Sequence, residues 1–102
     1  MNSHDADGLV EQWVLRVRGR VQGVGYRDAC VRHARAMGIR GWVRNRSDGS
    51  VEMTLQGSPA DVAAMRTWLQ TSVPGARVID LDATQVPAPF PHLSGFDRLP
   101  TE

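Results

Sequence analysis

One glycine-rich segment limits the folds that this chain can adopt. On its two sides the spacing of hydrophobic residues differs: it is that of a strand before the segment and that of a helix after it. Before the segment, residues 12–18 place Trp, Leu and Val at every second position, which is the pattern of a strand. The segment itself, residues 19–25, contains three glycines. Beyond it, apolar residues recur at helical spacing over 26–37, and Gly38 has the position typical of the residue that ends a helix. The pattern predicts a strand, a glycine loop and a helix in direct succession.

The rest of the chain predicts a hairpin, a second helix and a further strand. Residues 40–46 and 50–57 form the arms of the hairpin, because the Asp-Gly pair between them is a strong turn signal. A second helix is predicted from Ser58, which is followed by a proline, to the Pro-Gly pair at Pro74. A strand over about 77–84 follows it. The element order is therefore strand, helix, strand, strand, helix, strand.

This order predicts an α+β fold of the ferredoxin-like type, a two-layer sandwich with both helices on one face of an antiparallel sheet in the order 4-1-3-2. With 102 residues, of which 41% are hydrophobic, the chain has room for one core. Residues 1–10 are predicted to form a flexible tail and residues 11–102 a single domain. In the segment 85–102, three prolines lead to a short predicted strand over 96–99, whose pairing the sequence leaves open.

The predicted topology has a consequence for chemistry. The first two strands run in the same direction with the third between them, so their ends lie about 10 Å apart at one end of the sheet. The first helix begins at that end as well. The glycine loop, the start of the helix and Asn45 are therefore expected to share one rim.

The glycine loop has the composition of an anion site. Glycines allow successive N–H groups to turn inward, and the helix that follows adds its positive dipole end. Arg27 lies in the first turn, where a cation is disfavoured unless an anion lies nearby. The alternative is a simple turn, with Arg27 paired to Asp28 or to solvent. Asn45 has an alternative of the same kind, because asparagine before a turn often only caps the backbone.

Charge and composition exclude several classes of function. All 12 basic residues are arginines and 11 residues are acidic, so the net charge of +1 gives no strong attraction to nucleic acid or to membranes. The lack of lysine excludes a Walker-type phosphate loop. One cysteine and three scattered histidines predict neither a disulfide nor a metal site. No stretch is apolar enough to span a membrane, and no secretory signal is recognised, so we expect a cytoplasmic protein.

Two longer signatures resemble the acylphosphatase family. The first is Gly-Arg-Val-Gln-Gly-Val-Gly-Tyr-Arg at 19–27, and the second is Gly-Trp-Val-Arg-Asn at 41–45 with Asp-Gly-x-Val-Glu at 48–52. The resemblance covers roughly 12–99 and is loose at the C-terminal end. It implies hydrolysis of a small-molecule acyl phosphate to a carboxylate and inorganic phosphate, without a metal ion or other cofactor. A monomer is the default expectation.

The resemblance also implies the site residues. The family's catalytic arginine matches Arg27 and its catalytic asparagine matches Asn45. The residues that match its phosphate-binding loop, where a phosphate or sulfate ion is expected to bind, are Arg20, Val21, Gln22, Gly23, Val24, Gly25 and Tyr26.

These residue types suit the implied reaction. A carboxylate leaves without protonation, so no general acid is needed, and the remaining work is positioning and electrostatics. Asn45 can orient a water molecule through its amide. Strict alternation, however, places Asn45 on the face of Val43, so it must lie near the end of its strand to reach water. Two alternatives stay open: an anion-binding module without turnover, and an RNA-binding domain, which would need more stacking aromatics than one Tyr and two Phe.

Overall fold

A computed structural model describes residues 9–102 of the chain, so most of the predicted tail over 1–10 lies outside the described residues. The elements are β1 (Glu11–Arg20), α1 (Tyr26–Met37), β2 (Arg40–Asn45), β3 (Val51–Gly57), α2 (Pro59–Thr71), β4 (Arg77–Val86) and β5 (Phe96–Arg98). Neither helix of this part of the chain combines the length and the apolar character that crossing a membrane requires.

The five strands form one sheet in the order β4-β1-β3-β2-β5. β1 pairs antiparallel with both β3 and β4, and β2 pairs antiparallel with β3. The predicted ferredoxin-like fold and its 4-1-3-2 order are therefore confirmed. The short C-terminal strand is confirmed too: it lies at the sheet edge and runs parallel to β2.

The core lies between the helices and one face of the sheet. Its fully buried large side chains include Leu15, Tyr26, Met53, Leu55, Met65 and Leu69. The hydroxyl of Tyr26 donates a hydrogen bond to the carbonyl oxygen of Leu69 at 3.0 Å, which joins the two helices. Cys30 lies in this core, and burial raises the pKa of its thiol to about 12. The predicted role of Cys30 as a core residue is consistent with that environment.

A buried glutamine binds the segment that connects β4, at one edge of the sheet, to β5 at the other edge. Gln56 is fully buried, and its Nε2 donates to the carbonyl oxygen of Pro91 and to Oε1 of Gln12, each at 2.6 Å. Its Oε1 accepts from the N–H of Leu93 at 3.0 Å. Phe96 then inserts into the core, where it is 1% exposed. These contacts fix where β5 begins.

Candidate active site

A cavity of about 220 Å³ lies where the β1–α1 loop faces the end of β2. It is lined by Val21, Gln22, Gly23, Gly25, Tyr26, Arg27, Asp28, Asn45 and Arg98. The topology brings Arg27 and Asn45, 18 positions apart in the sequence, to one concave surface. The shared rim expected from the strand directions is thus present.

The loop backbone is shaped by two glycines in the left-handed region. Gly23 has φ 74° and Gly25 has φ 79°, angles that other residues rarely adopt. Gly25 is also the N-cap of α1, so no side chain caps this helix, whereas the Ser58 hydroxyl caps α2. Within residues 9–102, none of the backbone N–H groups from Gly23 to Asp28 donates a hydrogen bond to the backbone. The start of α1 therefore offers a row of uncommitted donors, which is the arrangement that binds anions.

Arg27 lies in the first turn of α1 and is half-buried at the cavity. Its Nη1 is 3.5 Å from the carbonyl oxygen of Leu99, a long and weak hydrogen bond. Among the described residues Arg27 forms no ion pair, because Asp28 is paired with Arg98 instead. Of the alternative interpretation, in which Arg27 pairs with Asp28 or with solvent, the pairing with Asp28 is therefore wrong.

Asn45 is the last residue of β2 and lies in register with Val51 of β3. As alternation predicts, it shares the face of Val43, which is fully buried, and it reaches the cavity because the strand ends there. Its amide oxygen Oδ1 is buried and has no hydrogen-bond partner in the described part of the chain. A buried acceptor without a partner is costly, and it is suited to receive a hydrogen bond from a bound molecule.

Gln22 holds the loop against the β2–β3 turn. Its Nε2 donates to the carbonyl oxygens of Arg46 and Ser50, both at 2.9 Å. The side-chain donor of this predicted phosphate ligand is therefore committed to the backbone of the turn that follows Asn45. Gln22 thus joins the two halves of the cavity.

The other predicted loop residues divide into two groups. Val21 and Tyr26 line the cavity although their side chains are 1% exposed and belong to the core. Arg20 and Val24 are not among the lining residues: Arg20 is exposed at the end of β1, and Val24 packs against the core. The structure therefore brings together five of the seven predicted loop residues.

Two charged residues of the cavity were not predicted, Asp28 and Arg98. Asp28 directly follows the catalytic candidate Arg27 in the sequence, and this adjacency could have predicted that Asp28 lines the cavity. Arg98 belongs to the C-terminal segment, where the resemblance to the family is loose. Nothing in the sequence around this arginine predicted that it would line the cavity. Its place depends on β5 pairing with β2.

The chain beyond β5 continues along β2 toward Asn45. The N–H of Leu99 donates to the carbonyl oxygen of Val43 at 2.8 Å, and that of Glu102 donates to the carbonyl oxygen of Asn45 at 3.0 Å. The Glu102 carboxylate also forms an ion pair with the guanidinium of Arg44, with 2.7 Å between Oε1 and Nη1. These contacts hold the end of β2 from its outer side.

Metal-ligating side chains do not cluster in this part of the molecule. Over residues 9–102, no group of three or more His, Cys, Asp and Glu side chains is arranged to hold a metal ion. At the cavity, Asp28 is the one carboxylate among the lining residues, and its Oδ1 accepts from Arg98. The charged groups that face a ligand there are two guanidinium groups and this paired carboxylate.

Comparisons with known proteins agree on one family. The sequence model of the acylphosphatase family matches residues 13–97. The chain is 55% identical over 96 residues to an acylphosphatase of Polaromonas naphthalenivorans, covering 94% of this chain and 95% of that protein. It is 57% identical over 97 residues to acylphosphatase 1 of Ralstonia nicotianae, covering 95% and 94%. The crystal structure of acylphosphatase from Bacillus subtilis matches with a TM-score of 0.83 at 29% identity, covering 87% of this chain and 98% of that chain.

Proposed function

The chain belongs to the acylphosphatase family of enzymes, and we propose that it hydrolyses acyl phosphates in the cavity between the glycine loop and the end of β2, without a metal ion. One observation carries the assignment of the site. The Arg27 guanidinium, the uncommitted N–H groups at the start of α1 and the unpartnered oxygen of Asn45 all meet at this cavity.

In the proposed complex the loop and Arg27 hold the phosphoryl group. Uncommitted N–H groups at the start of α1 donate to its oxygens, and the positive end of the α1 dipole adds to their attraction. Arg27 contributes paired hydrogen bonds of the geometry that guanidinium offers to phosphate. These groups also stabilise the charge that spreads over the phosphoryl oxygens in the transition state.

Asn45 is proposed to position the attacking water. Its buried Oδ1 accepts a hydrogen bond from the water, and this fixes the water on the side of phosphorus opposite the acyl oxygen. The water oxygen forms a bond to phosphorus while the bond between phosphorus and the acyl oxygen breaks. The electron pair of that bond leaves with the carboxylate, and the proton of the water passes to a phosphoryl oxygen.

Metal independence follows from what the reaction needs. A carboxylate is a stable leaving group at neutral pH, so no Lewis acid or general acid has to assist its departure. The guanidinium and the backbone donors supply the positive charge that the phosphoryl group requires. Asn45 orients the water without removing its proton, so no metal-activated hydroxide is invoked.

The proposed substrate is a small molecule, and the product phosphate is expected to bind the same cavity as a competitive inhibitor. The monomer and the cytoplasmic location are likewise proposals that rest on the sequence alone.

The test is hydrolysis of benzoyl phosphate in the presence of EDTA. The wild type should turn over, and Arg27→Ala and Asn45→Ala should each lose about 10²- to 10³-fold in kcat, the usual effect of removing one such group. Arg32→Ala, which removes an exposed arginine from the same helix, is the matched control and should retain full activity.

Circular dichroism should show that all three variants remain folded. Retained turnover by Arg27→Ala would rule out the assigned role of that residue. Loss of wild-type turnover in EDTA would rule out metal independence. Phosphate binding by a wild type that does not hydrolyse would identify the chain as an anion-binding module.

A further inference from the structure

We infer that Arg98 is a positioning residue of the active site, which sets the affinity for the phosphoryl dianion by neutralising the carboxylate of Asp28. This inference rests on the proposed function, because it concerns binding at the same cavity. The proposed mechanism gives no role to one charged residue of the cavity. A carboxylate, Asp28, lines a cavity that is proposed to bind a doubly negative group.

Asp28 has a structural reason to be where it is. It lies in the first turn of α1, where a negative charge is favoured by the helix dipole. The same position brings the carboxylate to the N–H groups that the phosphoryl group would use. A negative charge at this point repels the negatively charged ligand. The carboxylate of Asp28 therefore stabilises the helix but weakens binding of the phosphoryl group.

Arg98 cancels that repulsion. Its Nη1 donates to Oδ1 of Asp28 at 2.9 Å, and both side chains line the cavity. With Arg98 present, the charged lining residues sum to one net positive charge; without it, Arg27 and Asp28 sum to zero. The side chain of Arg98 makes no other hydrogen bond with residues 9–102, so Asp28 is the one side-chain partner of its guanidinium group there.

The position of Arg98 is determined by the packing and the pairing of β5. Phe96 and Arg98 are two residues apart on β5 and share a face, which is the face that α1 covers. Phe96 is buried, and Arg98 lies in register with Val43 of β2. The guanidinium is therefore presented to α1 by an edge strand that is held by its pairing with β2 and by the burial of Phe96.

The ion pair between Arg98 and Asp28 is a weak source of folding stability. The two side chains are 51% and 57% exposed, and ion pairs at such exposure contribute little to folding. The pair therefore has its main effect on the ligand. Because exposed charges are screened by salt, that effect should be largest at low ionic strength.

The test compares Arg98→Gln with the double variant in which Asp28→Asn is added, in the full chain, with benzoyl phosphate as substrate and inorganic phosphate as inhibitor. Arg98→Gln should raise KM and the inhibition constant of phosphate by about three- to tenfold at low salt, with kcat within about twofold of the wild type. Asp28→Asn together with Arg98→Gln should return both constants to within about twofold of the wild type. Raising the salt to about 0.5 M should shrink the effect.

Arg35→Gln is the matched control. Arg35 also links α1 to β5, since its Nε donates to the carbonyl oxygen of Phe96 at 3.1 Å, but it does not line the cavity. Its removal should leave KM unchanged. An equal rise in KM for Arg35→Gln would mean that loosening β5 causes the effect, and the inference would fail.

Two further results would overturn the inferred role of Arg98. One is a KM for Arg98→Gln equal to that of the wild type. The other is a double variant as impaired as Arg98→Gln, which would show that Arg98 acts on the ligand and not through Asp28. Failure of the proposed function is recognised separately, because the wild type itself would then not hydrolyse benzoyl phosphate.

Discussion

Two amide side chains on neighbouring strands should respond to substitution in opposite ways. Asn45, at the end of β2, has a buried oxygen without a partner among the described residues, whereas Gln56, in β3, is fully buried and makes three hydrogen bonds. We expect Asn45→Ala to lower kcat by about 10²- to 10³-fold without lowering the free energy of unfolding. We expect Gln56→Leu to lower that free energy strongly.

The magnitudes follow from the contacts. An unsatisfied buried acceptor costs about 1–3 kcal/mol, so its removal in Asn45→Ala should leave the free energy of unfolding unchanged or raise it by about 1 kcal/mol. Gln56→Leu removes three hydrogen bonds at about 0.5–1.5 kcal/mol each and leaves Pro91 and Leu93 without their partner. A loss of about 2–4 kcal/mol is expected, a large part of the roughly 5–15 kcal/mol that stabilises a typical domain.

The assay is unfolding in urea, monitored by tryptophan fluorescence. The wild type and both variants are compared in the midpoint and in m, the slope of the free energy of unfolding against urea concentration. Benzoyl phosphate turnover is measured on the same samples. If Asn45→Ala were destabilised by more than about 1 kcal/mol, its oxygen would have a stabilising partner in solution, and the reasoning would be refuted. An unaltered midpoint for Gln56→Leu would refute the role of Gln56 in holding the 87–95 segment.

Two other outcomes test the loop and the core. Gln22→Leu removes both hydrogen bonds to the β2–β3 turn, so kcat should fall, and the free energy of unfolding should drop by about 1–3 kcal/mol in the urea assay. The folded thiol of Cys30 ionises near pH 12 and the unfolded thiol near 9.0, so stability should fall as pH rises between these values. Cys30→Ala should reduce that slope by up to about 1.4 kcal/mol per pH unit; an unchanged slope would contradict the raised pKa.

The elements that local sequence specifies were predictable. Helix α1 runs from Tyr26 to Met37 as predicted, because the glycine loop before it and Gly38 after it determine both of its ends. Asn45 reaches the cavity because β2 ends there, an outcome that alternation allowed but could not decide. The predicted strand over 12–18 is longer, Glu11–Arg20, since it pairs with a partner on each side.

The parts that depend on distant contacts were not predictable. The pairing of β5 with β2 follows from the hydrogen bonds of Gln56 to the connecting segment and from the burial of Phe96, which no local pattern reports. Arg98 enters the site through that pairing alone. Arg20 lies within the matching signature, yet its exposed position beside β4 keeps it from the cavity.

The twelve side chains of this molecule that are positively charged at every physiological pH are all arginines. Acyl phosphates are mixed anhydrides that acylate amines, and in proteins the ε-amino group of lysine is the usual amine target. These 102 residues include twelve arginines and no lysine, and guanidinium groups stay protonated and non-nucleophilic at neutral pH. Arg27 and Arg98 can therefore attract an activated acyl compound without being modified by it. The use of arginine gives the candidate site positive charges that are chemically inert toward an acyl phosphate.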